Sequence, residues 1–187
     1  MPLPSFRWPS PRRRLSLPDD VRARLPLEPR ERVLAVAELL DGGWAVATER
    51  ALLLVPAGGA AGRADEPVER IAWWTVDSAA WDDASERLVV DARPPGRRPL
   101  VRRLALTEPE SSLLPETVRE RVQASIVVSQ KVRLVGRAGG RVTARQVPGT
   151  ADLVWNVQLD PGLDPADPQV QAAAEAALAE VRAQTAT

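Results

Sequence analysis

The chain has 187 residues, 44% hydrophobic and 27% charged, and its 25 Lys and Arg balance 25 Asp and Glu to a formal net charge of zero. It contains no His, no Cys and no Tyr, yet six Trp. Those absences exclude disulfides, thiol nucleophiles, imidazole bases, Ser–His–Asp triads and zinc sites built on nitrogen and sulfur.

The length suits one domain with appendages, able to bury roughly 70% of its unfolded surface without a disulfide or metal. No apolar run approaches the length of a membrane span. Residues 1–18 carry Arg7, Arg12, Arg13 and Arg14, but Pro2, Pro4, Pro9, Pro11 and Pro18 interrupt them. They have no apolar core and no small-residue cleavage site, so they do not read as a signal peptide, and a cytoplasmic location is expected. Of the 25 basic residues 24 are Arg, and Asn156 is the one Asn, a bias expected from GC-rich coding rather than from guanidinium chemistry.

In chain order, residues 1–18 predict a disordered basic tail, because prolines deny regular hydrogen bonding and few apolar groups are present. Residues 1–27 are taken together as a largely disordered segment, with Asp19 and Asp20 opening a short helical turn to about Leu25. From Arg32 short apolar runs recur every 8–12 residues, the spacing of a sandwich or barrel. The runs are 32–40, 44–48, 51–55, 68–81, 87–91 and 100–106, separated by turns such as Asp41-Gly42-Gly43 and Asp82-Asp83-Ala84-Ser85. Leu114, Val118, Val122 and Ile126 then repeat at i+4 and predict one helix face, with Pro115 near its start. Strands are expected again at 131–135, 142–147 and 153–159. A helix is expected over 168–184, with Asp167 as N-cap and Pro168 at its first position.

Six strands followed by one amphipathic helix, with the hairpin Val46-Ala-Thr-Glu-Arg-Ala-Leu-Leu-Leu54, resembles the bacterial pleckstrin-homology-like domain family. The resemblance covers residues 32–128, about half the chain. It implies a binding scaffold in which the first hairpin is 32–48 and a helix at 113–128 plugs one end. The chain departs from lipid-binding members at the first hairpin loop. There the family carries clustered basic residues, and this chain has Leu39-Leu40-Asp41-Gly42-Gly43. The expected fold is α+β and mostly β: a small bent antiparallel sandwich or partly open barrel over 28–130, plugged by one amphipathic helix. A C-terminal extension of hairpin, strand and helix, 131–187, is expected to pack on it.

Trp73 and Trp74, read as neighbours on one strand, must point to opposite faces. Ala72, Trp74 and Val76 form the more apolar set, so Trp74 is placed inward. Trp73 is then a candidate partner anchor or a residue covered by the extension. Trp44, Trp81 and Trp155 read as core. Trp8 is a passenger or a short-motif anchor, one possible dock being this same domain.

Arg93, Arg97, Arg98, Arg102 and Arg103 lie in a stretch without an acid, as do Arg121, Lys131, Arg133, Arg137, Arg141 and Arg145. These suit an anionic or protein partner, but Asp160, Asp164 and Asp167 in the acidic C-terminal segment could neutralise them internally. A sequence pI of about 6.4 disfavours nucleic acid.

Carboxylates remain as the available acids and bases, and a hydrolase pair would draw on Asp77, Asp82, Asp83 and Glu86. Turn and cap chemistry accounts for Asp82, Asp83 and Asp167 without a metal. The runs Gly58–Gly62 and Gly136–Gly140 match neither a dinucleotide loop nor a P-loop. The expectation is a non-enzymatic adaptor with no cofactor and no metal, acting through protein contacts. Its partner-binding candidates are Trp73, Arg97, Arg98, Arg102, Arg103, Arg137, Arg141 and Arg145. Peripheral binding to anionic lipid is the alternative, and a carboxylate-only hydrolase the remote one.

Overall fold

A computed structural model describes residues 16–58, 66–148 and 150–185. The tail expected over residues 1–18 lies outside them as far as residue 15, and most of the glycine-rich loop at 59–65 does too. Among the described residues the fold is mostly β, with three antiparallel sheets and three α-helices.

The first sheet runs in chain order: β1 (Val33–Glu38), β2 (Trp44–Thr48), β3 (Ala51–Val55) and β4 (Glu69–Ala72). A 3-10 turn at Trp73–Thr75 carries the chain into a second sheet of β5 (Val76–Asp82), β6 (Arg87–Ala92) and β7 (Leu100–Leu104). The two sheets meet again where Leu39 bridges Leu106, the Leu40 amide donates to Ala105 O at 2.9 Å and the Thr107 amide to Glu38 O at 3.0 Å.

Side-chain alternation explains the continuous apolar run of β3. Leu52 faces the space between the sheets, among Ile71, Trp73, Val76, Leu88 and Val90. Ala51, Leu53 and Val55 face outward, where Leu17, in the chain leading into α1 (Asp19–Ala23), and Val21 of that helix cover them. A strand buried on both faces needs no polar alternation. Each fully buried Leu contributes about 1.5–3 kcal/mol. The helical turn expected at Asp19 therefore forms, and residues 17–21 are docked rather than part of a disordered segment.

The helix α2 (Leu114–Ala124) buries Leu114, Val118 and Val122 in the inter-sheet core, as their spacing predicts. It ends earlier than expected. Ile126 already begins β8 (Ile126–Val135), which pairs with β9 (Ala138–Gln146), itself paired with β10 (Leu153–Leu159). Close pairing at Gly139 and Gly140 requires glycine: a Cβ there would lie 2.3 Å from Val132 O and 2.6 Å from Gln158 O, respectively. On one face of this third sheet the helix α3 (Pro168–Thr185) buries Ala177 and Val181 against Val142.

The third sheet is tied to the rest through Arg145. Its guanidinium donates to Val122 O at 2.9 Å, Ser125 Oγ at 2.5 Å and Asp77 O at 3.2 Å. Asn156 adds a 2.7 Å bond to Asp77 Oδ1.

Candidate functional site: a groove beside the first strand

The strand β1 is the outer strand of its sheet, and its contact with the second sheet is confined to its last residues. Among the described residues no strand pairs with residues 33–37 on the side away from β2. The segment 107–113 forms the opposite wall, because Thr107 is pinned to Glu38 and Leu114 is drawn into the core by α2. Between them lies a groove of about 430 Å³, its walls including Val36, Glu38, Trp44, Glu108 and Leu113.

The local chemistry follows from register. Glu38 and Trp44 are direct cross-strand partners, so a carboxylate and a half-buried indole share one face at the groove's floor. Across from them Leu113 is 55% exposed. It precedes the first turn of α2, and the Leu114 amide donates to Ser112 Oγ at 3.2 Å. Ser111 Oγ donates to Glu108 Oε2 at 2.9 Å. An open strand edge, an aromatic floor and two carboxylates can hold an extended chain, and these walls favour apolar and cationic side chains.

A second, smaller cleft of about 370 Å³ opens where α2 meets β8, lined by Trp74, Arg121, Val127, Gln146 and Pro148 among others. Its half-buried indole belongs to the tryptophan expected to point inward. Trp73, expected as the outward candidate, is 4% exposed and donates Nε1–H to Thr48 O at 3.0 Å. The expectation fails because residues 73–75 form a 3-10 turn and not a strand, so the two-residue alternation does not apply.

Trp73 contacts Thr48 in the tight turn of the hairpin that carried the family resemblance. Thr48 Oγ1 donates to the buried Glu31 at 2.5 Å and accepts the Ala51 amide at 2.9 Å. Glu31 also accepts the Glu28 amide at 2.9 Å and the Arg70 guanidinium at 3.0 Å. Burial alone would raise the Glu31 pKa, but these hydrogen bonds and the Arg70 charge outweigh it and hold the carboxyl below its ordinary range.

The arginine candidates separate into bound and open groups. Arg145 is 5% exposed and spent on the structural bonds above, so it is no partner contact. Burial lowers its pKa, opposed by the nearby Asp77 charge. Arg102 is committed to Glu69 through bonds of 2.7 and 2.6 Å. Arg97, Arg98, Arg103 and Arg137 are exposed, and their guanidinium groups make no hydrogen bond or ion pair among the described residues. Arg141 donates to Ser129 Oγ at 2.9 Å and stands directly opposite Lys131. Alternation puts Lys131, Arg133, Arg141 and Arg145 on the face of the third sheet away from α3.

The expected internal neutralisation does not occur among the described residues. Asp160 accepts the Gly139 amide at 3.2 Å, while Asp164 and Asp167 accept the amides of Ala166 and Gln169, each at 2.8 Å. These are turn and cap bonds, and none reaches an arginine of the β8–β9 hairpin.

The acids weighed for hydrolysis do not line either cavity. Asp77 is held by Arg93 at 2.7 Å and by Asn156. Asp82 bonds Ser85 Oγ at 2.6 Å in its own turn, and that bond holds its pKa down. Asp83 and Glu86 lie exposed in the same turn. Among the described residues no helix is long and apolar enough to cross a membrane.

The groove was not legible because Trp44 reads as an ordinary core residue. The available signal was the Leu113-Leu114 doublet, whose members cannot both face the core from the start of one helix. No protein-family model matches the chain, and no curated protein or solved structure matches it either.

Proposed function

We propose that this protein is a non-catalytic, pleckstrin-homology-like binding module that holds an extended, cationic segment of a protein partner in the groove beside β1. Four strands, then three, then a helix that plugs the inter-sheet core support the family reading. The observation that carries the binding reading is the groove itself: the open edge of β1 faces Leu113 across a floor of Trp44 and Glu38. Main-chain bonds to a strand edge provide affinity, and flanking side chains provide selection.

The test is selection of random peptides on the full chain, followed by binding to a Glu38→Lys, Leu113→Asp variant. Both substituted side chains are exposed, so thermal unfolding should change little. The expected result is a family of cationic, apolar peptides that bind the wild type and lose at least tenfold on the variant. Peptides that bind both proteins equally would contradict the reading.

A second reading, peripheral association with anionic lipid, is favoured by the pairing of Lys131 opposite Arg141. Like charges placed directly across a ladder are destabilising unless an anion relieves them. Co-sedimentation with phosphatidylserine vesicles should weaken with salt and in Lys131→Glu, Arg141→Glu. Equal sedimentation with neutral vesicles counts against it.

A further inference from the structure

We infer that the groove beside β1 is also the seat of this chain's own N-terminal segment, residues 1–15, which competes there with an external partner. The inference rests on reading the groove as a peptide site and identifies one ligand for it.

The path of the chain is the first support. Ser16 lines the groove, and Leu17 is buried on the outer face of the same sheet. Residues 1–15 are thus tethered to the groove's wall. A tether this short gives an effective concentration in the millimolar range, so even weak contacts would populate a docked state.

Charge complementarity is the second. Residues 1–15 contain Arg7, Arg12, Arg13 and Arg14 and no acid, so residues 16–187 hold 21 basic and 25 acidic side chains. Two of those acids, Glu38 and Glu108, stand in the groove's walls. Opposite charges in a partly enclosed cleft act more strongly than the same pairs in open water.

Composition is the third. Pro2, Pro4, Pro9 and Pro11 fix φ near −65° and favour an extended polyproline-type path rising about 3.1 Å per residue. Such a segment loses little conformational entropy on docking, and grooves lined by aromatic side chains are its usual receptors. Phe6 and Trp8 offer apolar side chains of the size to meet Trp44 and Leu113. The prolines lack the N–H groups for a full ladder, so the segment would lie along the edge of β1 without extending the sheet.

The chain has no cysteine, so Ser10→Cys accepts a single nitroxide label in the full-length protein. Paramagnetic broadening should then fall on the amides of Ala35, Val36, Ala37, Thr107, Ser111 and Leu113. Arg12→Glu, Arg13→Glu and Arg14→Glu together should abolish it. If docking occupies about nine-tenths of molecules, those changes should tighten binding of a selected peptide about tenfold.

Uniform broadening, or broadening at Lys131 and Arg141, would overturn self-docking. Selected peptides that still bind the groove would then leave the peptide-site reading standing. Broadening at the groove without any selected peptide would instead remove the external partner and keep the tail. Labelled chain mixed with unlabelled, isotope-enriched chain identifies the remaining occupant. Broadening in that mixture means that a second copy's tail fills the groove, contrary to docking within one chain.

Discussion

At the scale of single residues, Thr48 joins the turn between β2 and β3 to Glu31 and Trp73. One hydroxyl and one carbonyl serve Glu31, Ala51 and Trp73, and Arg70 brings β4 to the same carboxylate. The Thr, turn, Arg pattern was visible in the sequence, but its partner Glu31 was not. A lone glutamate in Pro29-Arg30-Glu31-Arg32 looks solvated, and the distant Thr48 and Arg70 bury it. The lowered pKa gives this site a pH signature. A carboxylate depressed in the folded state contributes stability that is complete above the ordinary glutamate pKa and is lost as pH falls through the lowered native value. Glu31→Gln should cost about 1–3 kcal/mol at neutral pH, from weakened charge-assisted bonds. It should also flatten the loss of stability on acidification across that window. Urea unfolding as a function of pH checks both, and an unchanged slope would show that Glu31 does not titrate as described.

At the scale of elements, strong periodicity was legible and corners were not. Leu114, Val118 and Val122 announced α2 correctly, because an i+4 apolar row has one structural use beside a sheet core. Its end was hidden, since Ile126 continues the row yet belongs to β8, and no glycine marks the boundary. The 3-10 turn was hidden for a similar reason: Val68 to Trp81 is apolar-rich and holds no Gly or Pro, so nothing local tells a corner from a strand. Arg145 shows how a residue typed as a surface cation becomes a joint between elements. It satisfies the Val122 carbonyl in the last turn of α2, where a cation also complements the helix dipole, and it reaches Asp77 of β5. Arg145→Met keeps much of the side chain's volume but removes those bonds. It should destabilise the protein by about 2–4 kcal/mol, read by chemical denaturation. Arg141→Met, on the same face, should cost under about 0.5 kcal/mol. Equal effects would mean that Arg145 is not a joint.

At the scale of the molecule, zero net charge conceals unlike regions. The basic hairpin of β8 and β9 keeps an open face, Asp160, Asp164 and Asp167 serve turns and the cap of α3, and the tail's four arginines precede a chain of opposite balance. Neutrality is thus a property of the sum and not of any surface that a partner would meet. The mostly β architecture was legible from the spacing of apolar runs. The groove was not, because it is made by the edge of β1 and a connection some 70 residues later in the chain, residues 107–113. The bridge between Leu39 and Leu106, with the flanking Leu40–Ala105 and Thr107–Glu38 bonds, places them side by side. The measurement that tests the groove most directly is an amide-resolved NMR titration of the full chain with a selected cationic peptide. The account predicts shifts concentrated at residues 35–38, the Trp44 indole and residues 107–113, with the amides of Lys131, Arg133 and Arg141 unmoved. Shifts gathered on the β8–β9 hairpin, or absent at the edge of β1, would contradict it.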